Sequence, residues 1–122
     1  MEISRHYSAY PEKTILVAAN NELAKIFLLN NREATEQATI FFDQNNSEND
    51  SLFYKPLANS LANLLKKDFK KIILCAPEVK IKKIHSAMPL IVQDAIDETV
   101  PKNLASLPIE AIIRILQEKK PS

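Results

Sequence analysis

The chain contains no glycine. Average usage is about 7%, so roughly eight or nine would be expected in a chain of 122 residues. Glycine lets a backbone take positive φ without a steric penalty and lets it approach a phosphate closely. Its absence removes the P-loop, the dinucleotide-binding fingerprint and every other glycine-rich anion cradle. Left-handed positions must therefore fall to Asn and Asp, and Asn20-Asn21, Asn30-Asn31 and Asn45-Asn46 are the candidate turns.

With 46% hydrophobic and 25% charged residues, the composition is that of an ordinary globular domain. The length suits a single domain, here expected over residues 13–119 behind a flexible arm at 1–12. No apolar run reaches the ~18 residues that would cross a bilayer, and MEISRHYSAYPEK lacks the apolar core of a secretion signal. One cysteine, Cys75, cannot form an internal disulfide, which fits a reducing compartment. The expected location is the cytoplasm, or a host cell into which the protein is delivered.

Periodicity yields an α/β order. TILVAA from Thr14 is a short, β-branched, buried strand. Leu23–Leu29 and Glu36–Asp43 follow as second and third strands, joined by tight polar turns into a meander. Leu57, Leu61, Leu64 and Leu65 recur at helical spacing behind Pro56. Lys71–Cys75 is a fourth strand and Pro77–Met88 a second helix. The second half of Ile91–Thr99 is a fifth strand. Pro108 opens a last helix carrying Ile109, Ile112, Ile113 and Leu116. The order is β-β-β-α-β-α-β-α. Right-handed crossovers place strands four and five beside the first, which predicts a five-stranded mixed sheet of order 3-2-1-4-5 and a ribonuclease-H-like architecture.

That architecture sharpens what is missing. A nuclease of this shape needs carboxylates clustered on its central strands to hold metal ions. The first and fourth strands carry none, and only Asp94, Asp97 and Glu98 lie close together, with Asp94 and Glu98 on one face if the segment is extended. Cys75 closes an apolar strand, where cysteine behaves as a small core residue rather than a nucleophile. His6 and His85 are too far apart in sequence to suggest a metal-ligand pattern. No catalytic residue, metal or cofactor is expected, and the chain is not read as an enzyme.

Charge is uneven although the net is only +1. Residues 1–61 carry 5 basic and 8 acidic side chains, residues 62–122 carry 11 and 7. Lys66, Lys67, Lys70, Lys71, Lys80, Lys82 and Lys83 concentrate the excess and form the candidate partner-binding surface. Phe69 is the one aromatic interleaved with them and no arginine is, which argues against nucleic acid as the first choice. The primary expectation is a non-catalytic adaptor or inhibitor that binds and regulates a partner protein, such as a pathogen effector enzyme. A homodimer is expected, because Ile40, Phe41 and Phe42 are adjacent on an edge strand.

Three stretches carry a family resemblance. ILVAANNELAKIFLL (15–29) is similar to an opening hairpin with a valine–alanine pair. PLANSLANLLKKDFKKIILCAPEVKIKKIHSAM (56–88) is similar to a helix, a strand ending here in Leu74-Cys75-Ala76-Pro77-Glu78, and the next helix. VPKNLASLPIEAIIRIL (100–116) is similar to a lysine–aspartate–leucine ending before a proline-led helix, with Asn103 in place of the aspartate. Together they resemble the bacterial host-attachment protein family, the bacterial relatives of the archaeo-eukaryotic release-factor central domain. The resemblance implies the same fold, and an alternative function as an RNA- or ribosome-associated factor. The Gly-Gly-Gln tip that performs peptide release in release factors has no counterpart in a chain without glycine.

Overall fold

The structure, a computed structural model, describes residues 1–119. Five strands form one sheet: β1 (Tyr10–Ala19), β2 (Leu23–Asn31), β3 (Glu33–Phe41), β4 (Lys71–Cys75) and β5 (Ile96–Val100). Their order is β3-β2-β1-β4-β5, as the crossovers require. β1 pairs antiparallel with β2 and parallel with β4, and β5 continues the parallel half. Short α1 (Asp50–Phe53) and α2 (Lys55–Leu65) connect β3 to β4. Helices α3 (Glu78–Ala87) and α4 (Leu90–Ala95) connect β4 to β5, and α5 (Ile109–Lys119) follows.

Strand alternation builds two cores. Ile15, Val17, Ile26, Ile72 and Leu74 face α1–α4, where Phe53, Leu57, Leu61, Leu64, Ile84 and Val92 cover them. Leu16, Phe27, Leu29, Ile73 and Cys75 face the other way, against Ile112, Ile113 and Leu116 of α5. Cys75 is buried in this second core, as its apolar strand predicted. The helices amount to two coverings on one sheet.

Without glycine, the turns are closed by short polar side chains. Asn20 keeps an ordinary φ; its Oδ1 accepts from the amides of Glu22 and Leu23 at 2.8 and 2.9 Å, which closes the β1–β2 turn. Among the described residues positive φ occurs at Asn31 (54°) and Asp68 (81°). Asn31 belongs to the predicted pairs; Asp68 does not, and it ends the turn after α2.

Two expectations are corrected. Residues 1–12, read as a flexible arm, are laid along the sheet. Ile3 is fully buried in the second core, its amide donates to the Arg32 carbonyl, and Glu2 bridges to Glu33 beside the edge of β3. Arg32 holds the segment from its other side, with Nη1 2.9 Å from the carbonyls of both Ser4 and Tyr7. The remainder of this stretch, from Tyr10, is already β1. The second correction concerns the acidic trio. Asp94 lies on α4 and Asp97 and Glu98 on β5, so Asp94 and Glu98 do not share a strand face.

Candidate functional site

The seven lysines do not form one surface. Lys66 and Lys67 follow the end of α2, Lys70 lies in the loop beyond, and Lys71 begins β4. Lys80, Lys82 and Lys83 lie on α3, which starts past the opposite end of β4, on the order of 15 Å away along the strand. Within α3, Lys80 and Lys83 share a flank and Lys82 turns aside.

The lower group is itself divided by charge. Lys71 Nζ stands 3.9 Å from both Glu12 Oε1 and Asp97 Oδ2, and Lys70 Nζ is 3.3 Å from Asp68 Oδ1. Among the described residues no ion pair reaches Lys66, Lys67, Lys80, Lys82 or Lys83. Lys66 and Lys67 are exposed and uncompensated. Lys82 and Lys83 on α3 are exposed and uncompensated as well.

Lys71 belongs instead to a polar cleft of about 140 Å³ at the start of β1 and β4, lined also by Tyr10, Glu12, Thr14, Asp97, Glu98 and Gln117. Burial pushes the Tyr10 phenol above its ordinary value, against the opposing effect of its hydrogen bond from Gln117. The cleft is acidic on balance: one ammonium sits between the Glu12 and Asp97 carboxylates, Glu98 adds a third, and the Tyr10 phenol shares the same lining. Tyr10 and Gln117 escaped sequence reasoning because nothing local relates them.

The remaining candidates stay apart. His6 is exposed near the amino end and His85 is half-buried on α3. Among the described residues no three His, Cys, Asp or Glu side chains converge on a point where an ion could be held. No described helix is long and apolar enough to cross a membrane.

A second concavity lies between α2 and β3, about 200 Å³ in volume, and Lys67 stands at its margin. Its other polar walls are Gln37, Ser60 and Asn63. The lysine count pointed to this region, but the amides and hydroxyl that complete it carried no signal of their own.

Comparison with known proteins places these observations. No curated protein matches the chain. Among solved structures it is similar to an archaeal protein (TM-score 0.60, 15% identity, 86% of this chain and 34% of that one). It is similar to the archaeal translation termination factor aRF1 (TM-score 0.57, 13% identity, 87% and 39%). It is also similar to S. cerevisiae Dom34, described as a translation termination-like factor involved in RNA quality control pathways and interacting with Hbs1 (TM-score 0.53, 16% identity, 82% and 34%). The chain thus spans little more than a third of the length of these structures, and at such identities the likeness is one of fold: the five-stranded release-factor central-domain type.

Residues 30–116 match the model of bacterial archaeo-eukaryotic release factor family 12. The resemblance read from sequence holds at that level, and the matched family does not bear the host-attachment name. These matches correct the expectation of an adaptor or inhibitor regulating a partner enzyme, and they favour the alternative set beside it. On its match over residues 30–116, from the last residues of β2 into α5, the chain belongs to bacterial archaeo-eukaryotic release factor family 12.

Proposed function

We propose that this protein is a cytoplasmic RNA- or ribosome-associated factor that acts by binding rather than by catalysis. The observation that carries the reading is the family match over residues 30–116, on a fold similar to that of a translation termination factor. The exposed, unpaired Lys66 and Lys67 supply the sequence-independent attraction that phosphate backbones require. A net charge of only +1 limits that attraction to a local patch. Release chemistry of the Gly-Gly-Gln kind is no part of the proposal, since this chain contains no glycine.

Self-association belongs to the same proposal. The N-terminal segment covers β3 only near Arg32–Ala34, and Phe41 at the other end of this edge strand is 72% exposed. An open strand edge beside an exposed aromatic is a surface that a second copy can cover. Phe41→Glu should then leave a monomer where the unmodified chain sediments as a dimer.

Co-sedimentation with purified ribosomes, and anisotropy of a labelled oligoribonucleotide, test the main reading across a salt series. The expected result is binding that weakens steeply as salt rises. A chain that binds neither at low salt would overturn it.

A further inference from the structure

The groove between α2 and β3 is chemically one-sided. From Lys55 to Lys67 the chain contains three lysines and no carboxylate. Ser60, Asn63, Leu64 and Lys67 recur at three- and four-residue spacing, so they form one stripe, with Leu64 buried as floor and the polar groups at the rim.

The opposite wall is made by an irregularity in β3. Ile26 pairs with Ala38, yet the next residue, Phe27, pairs with Glu36. Gln37 is therefore the extra residue of a bulge, a device that re-aims a side chain, and it lines the groove beside Ala38. Glu36 is turned away: it lies opposite Phe27, which packs in the second core, and it accepts a 3.5 Å hydrogen bond from Thr39 Oγ1. The groove is thus lined by a hydroxyl, two amides and an ammonium, over a floor of Ile26, Ala38 and Leu64.

Resting on the RNA-binding reading above, we propose that this groove seats a phosphate of the RNA backbone. Lys, Ser, Asn and Gln are the side chains that hold phosphate and sugar oxygens. A cationic ligand would meet Lys67 and no counter-charge. No aromatic ring lines the groove, so it offers no platform for stacking bases and holds RNA without reading its sequence. Helix α2 points its negative end toward Lys67, which disfavours an anion, so the ammonium and not the helix must supply the attraction.

The test uses the whole chain and a fluorescein-labelled oligouridylate. Lys67→Gln should weaken binding about tenfold, as expected for a charge-assisted contact, and reduce the salt slope by about 0.7, the share of one single-strand phosphate. Asn63→Ala and Gln37→Ala should weaken binding a few-fold with the slope unaltered. Lys83→Gln removes the same charge on α3 and should leave affinity within about twofold. All four positions are exposed, and equal melting temperatures verify the fold. If the unmodified chain binds neither this RNA nor ribosomes, the general reading falls and the groove falls with it; if it binds ribosomes but not the RNA, the groove alone is overturned. If it binds the RNA, and Lys67→Gln weakens binding no more than Lys83→Gln does, the groove alone is overturned.

Discussion

Gln117 Nε2 on α5 donates to the Tyr10 hydroxyl at 3.0 Å, joining residues 107 positions apart at the rim of the polar cleft. The same amide reaches the Ser8 carbonyl at 3.2 Å, and its oxygen accepts from the Ser8 N–H at 3.3 Å. One side chain therefore ties the last helix to the entry of β1.

This clasp has a pH signature. Burial raises the Tyr10 phenol above the ordinary 10.0, the Gln117 bond draws it partly back, and Glu98 and Cys75 push it up again. Tyr54 is raised as well, by burial and then by Asp50. Below about pH 9 both phenols are protonated whether the chain is folded or not, so they leave stability unchanged. Above it the unfolded chain releases protons that the folded chain still holds, and stability falls. Urea midpoints measured from neutral to strongly alkaline pH should show that decline. Tyr10→Phe should make it shallower while costing about 1 kcal/mol at neutral pH.

Arg32 is expected to govern the N-terminal segment. Removing its guanidinium in Arg32→Ala releases the Ser4 and Tyr7 carbonyls together. The loss should be about 1 kcal/mol, because both bonds are charge-assisted but only partly shielded from water. Amide exchange at Ile3, which donates to the Arg32 carbonyl, should accelerate more than exchange in the centre of β1.

The two left-handed residues offer a test of what a glycine-free chain gives up. A non-glycine residue in that region costs about 1–2 kcal/mol, whereas glycine adds about 0.5–1 kcal/mol of chain entropy to be lost on folding. Asp68→Gly should therefore stabilise the protein by about 0.5 kcal/mol, despite the loss of an exposed contact with Lys70. Asn31→Gly should come out near zero, since Asn tolerates this conformation better. Chemical denaturation of the two variants side by side would decide it.

The sheet was legible in sequence because its strands obey simple rules. TILVAA and IILC are apolar on both faces, as strands covered on both sides must be. β3 was read three residues short at its start, since Glu33, Ala34 and Thr35 place one small buried residue between two exposed polar ones, a pattern that only backbone pairing identifies as strand. Ile3 was unreadable as core: a single apolar residue between Glu2 and Ser4 has no period, and Arg32 fixes it from a distance. The apolar start of α4, Leu90 and Ile91, is largely exposed, so hydrophobicity there did not report burial. The lysines marked the region of the α2–β3 groove, but Gln37 entered it through a bulge that no local pattern announces.

The place of β1 between β2 and β4 also sets an order of events in time. β1, β2 and β3 occupy residues 10–41 and are linked by short turns, so their pairing closes small loops and can begin within microseconds. Thr14 meets Lys71 only after the whole α1–α2 segment has been gathered in, and that closure entropy must be met before any parallel contact offsets it. Pulse-labelled hydrogen exchange should thus protect Ile26 before Leu74. Until β4 arrives, the strand that will be the centre of the sheet is its raw edge, and the nascent meander is at its most adhesive just before it becomes a protein.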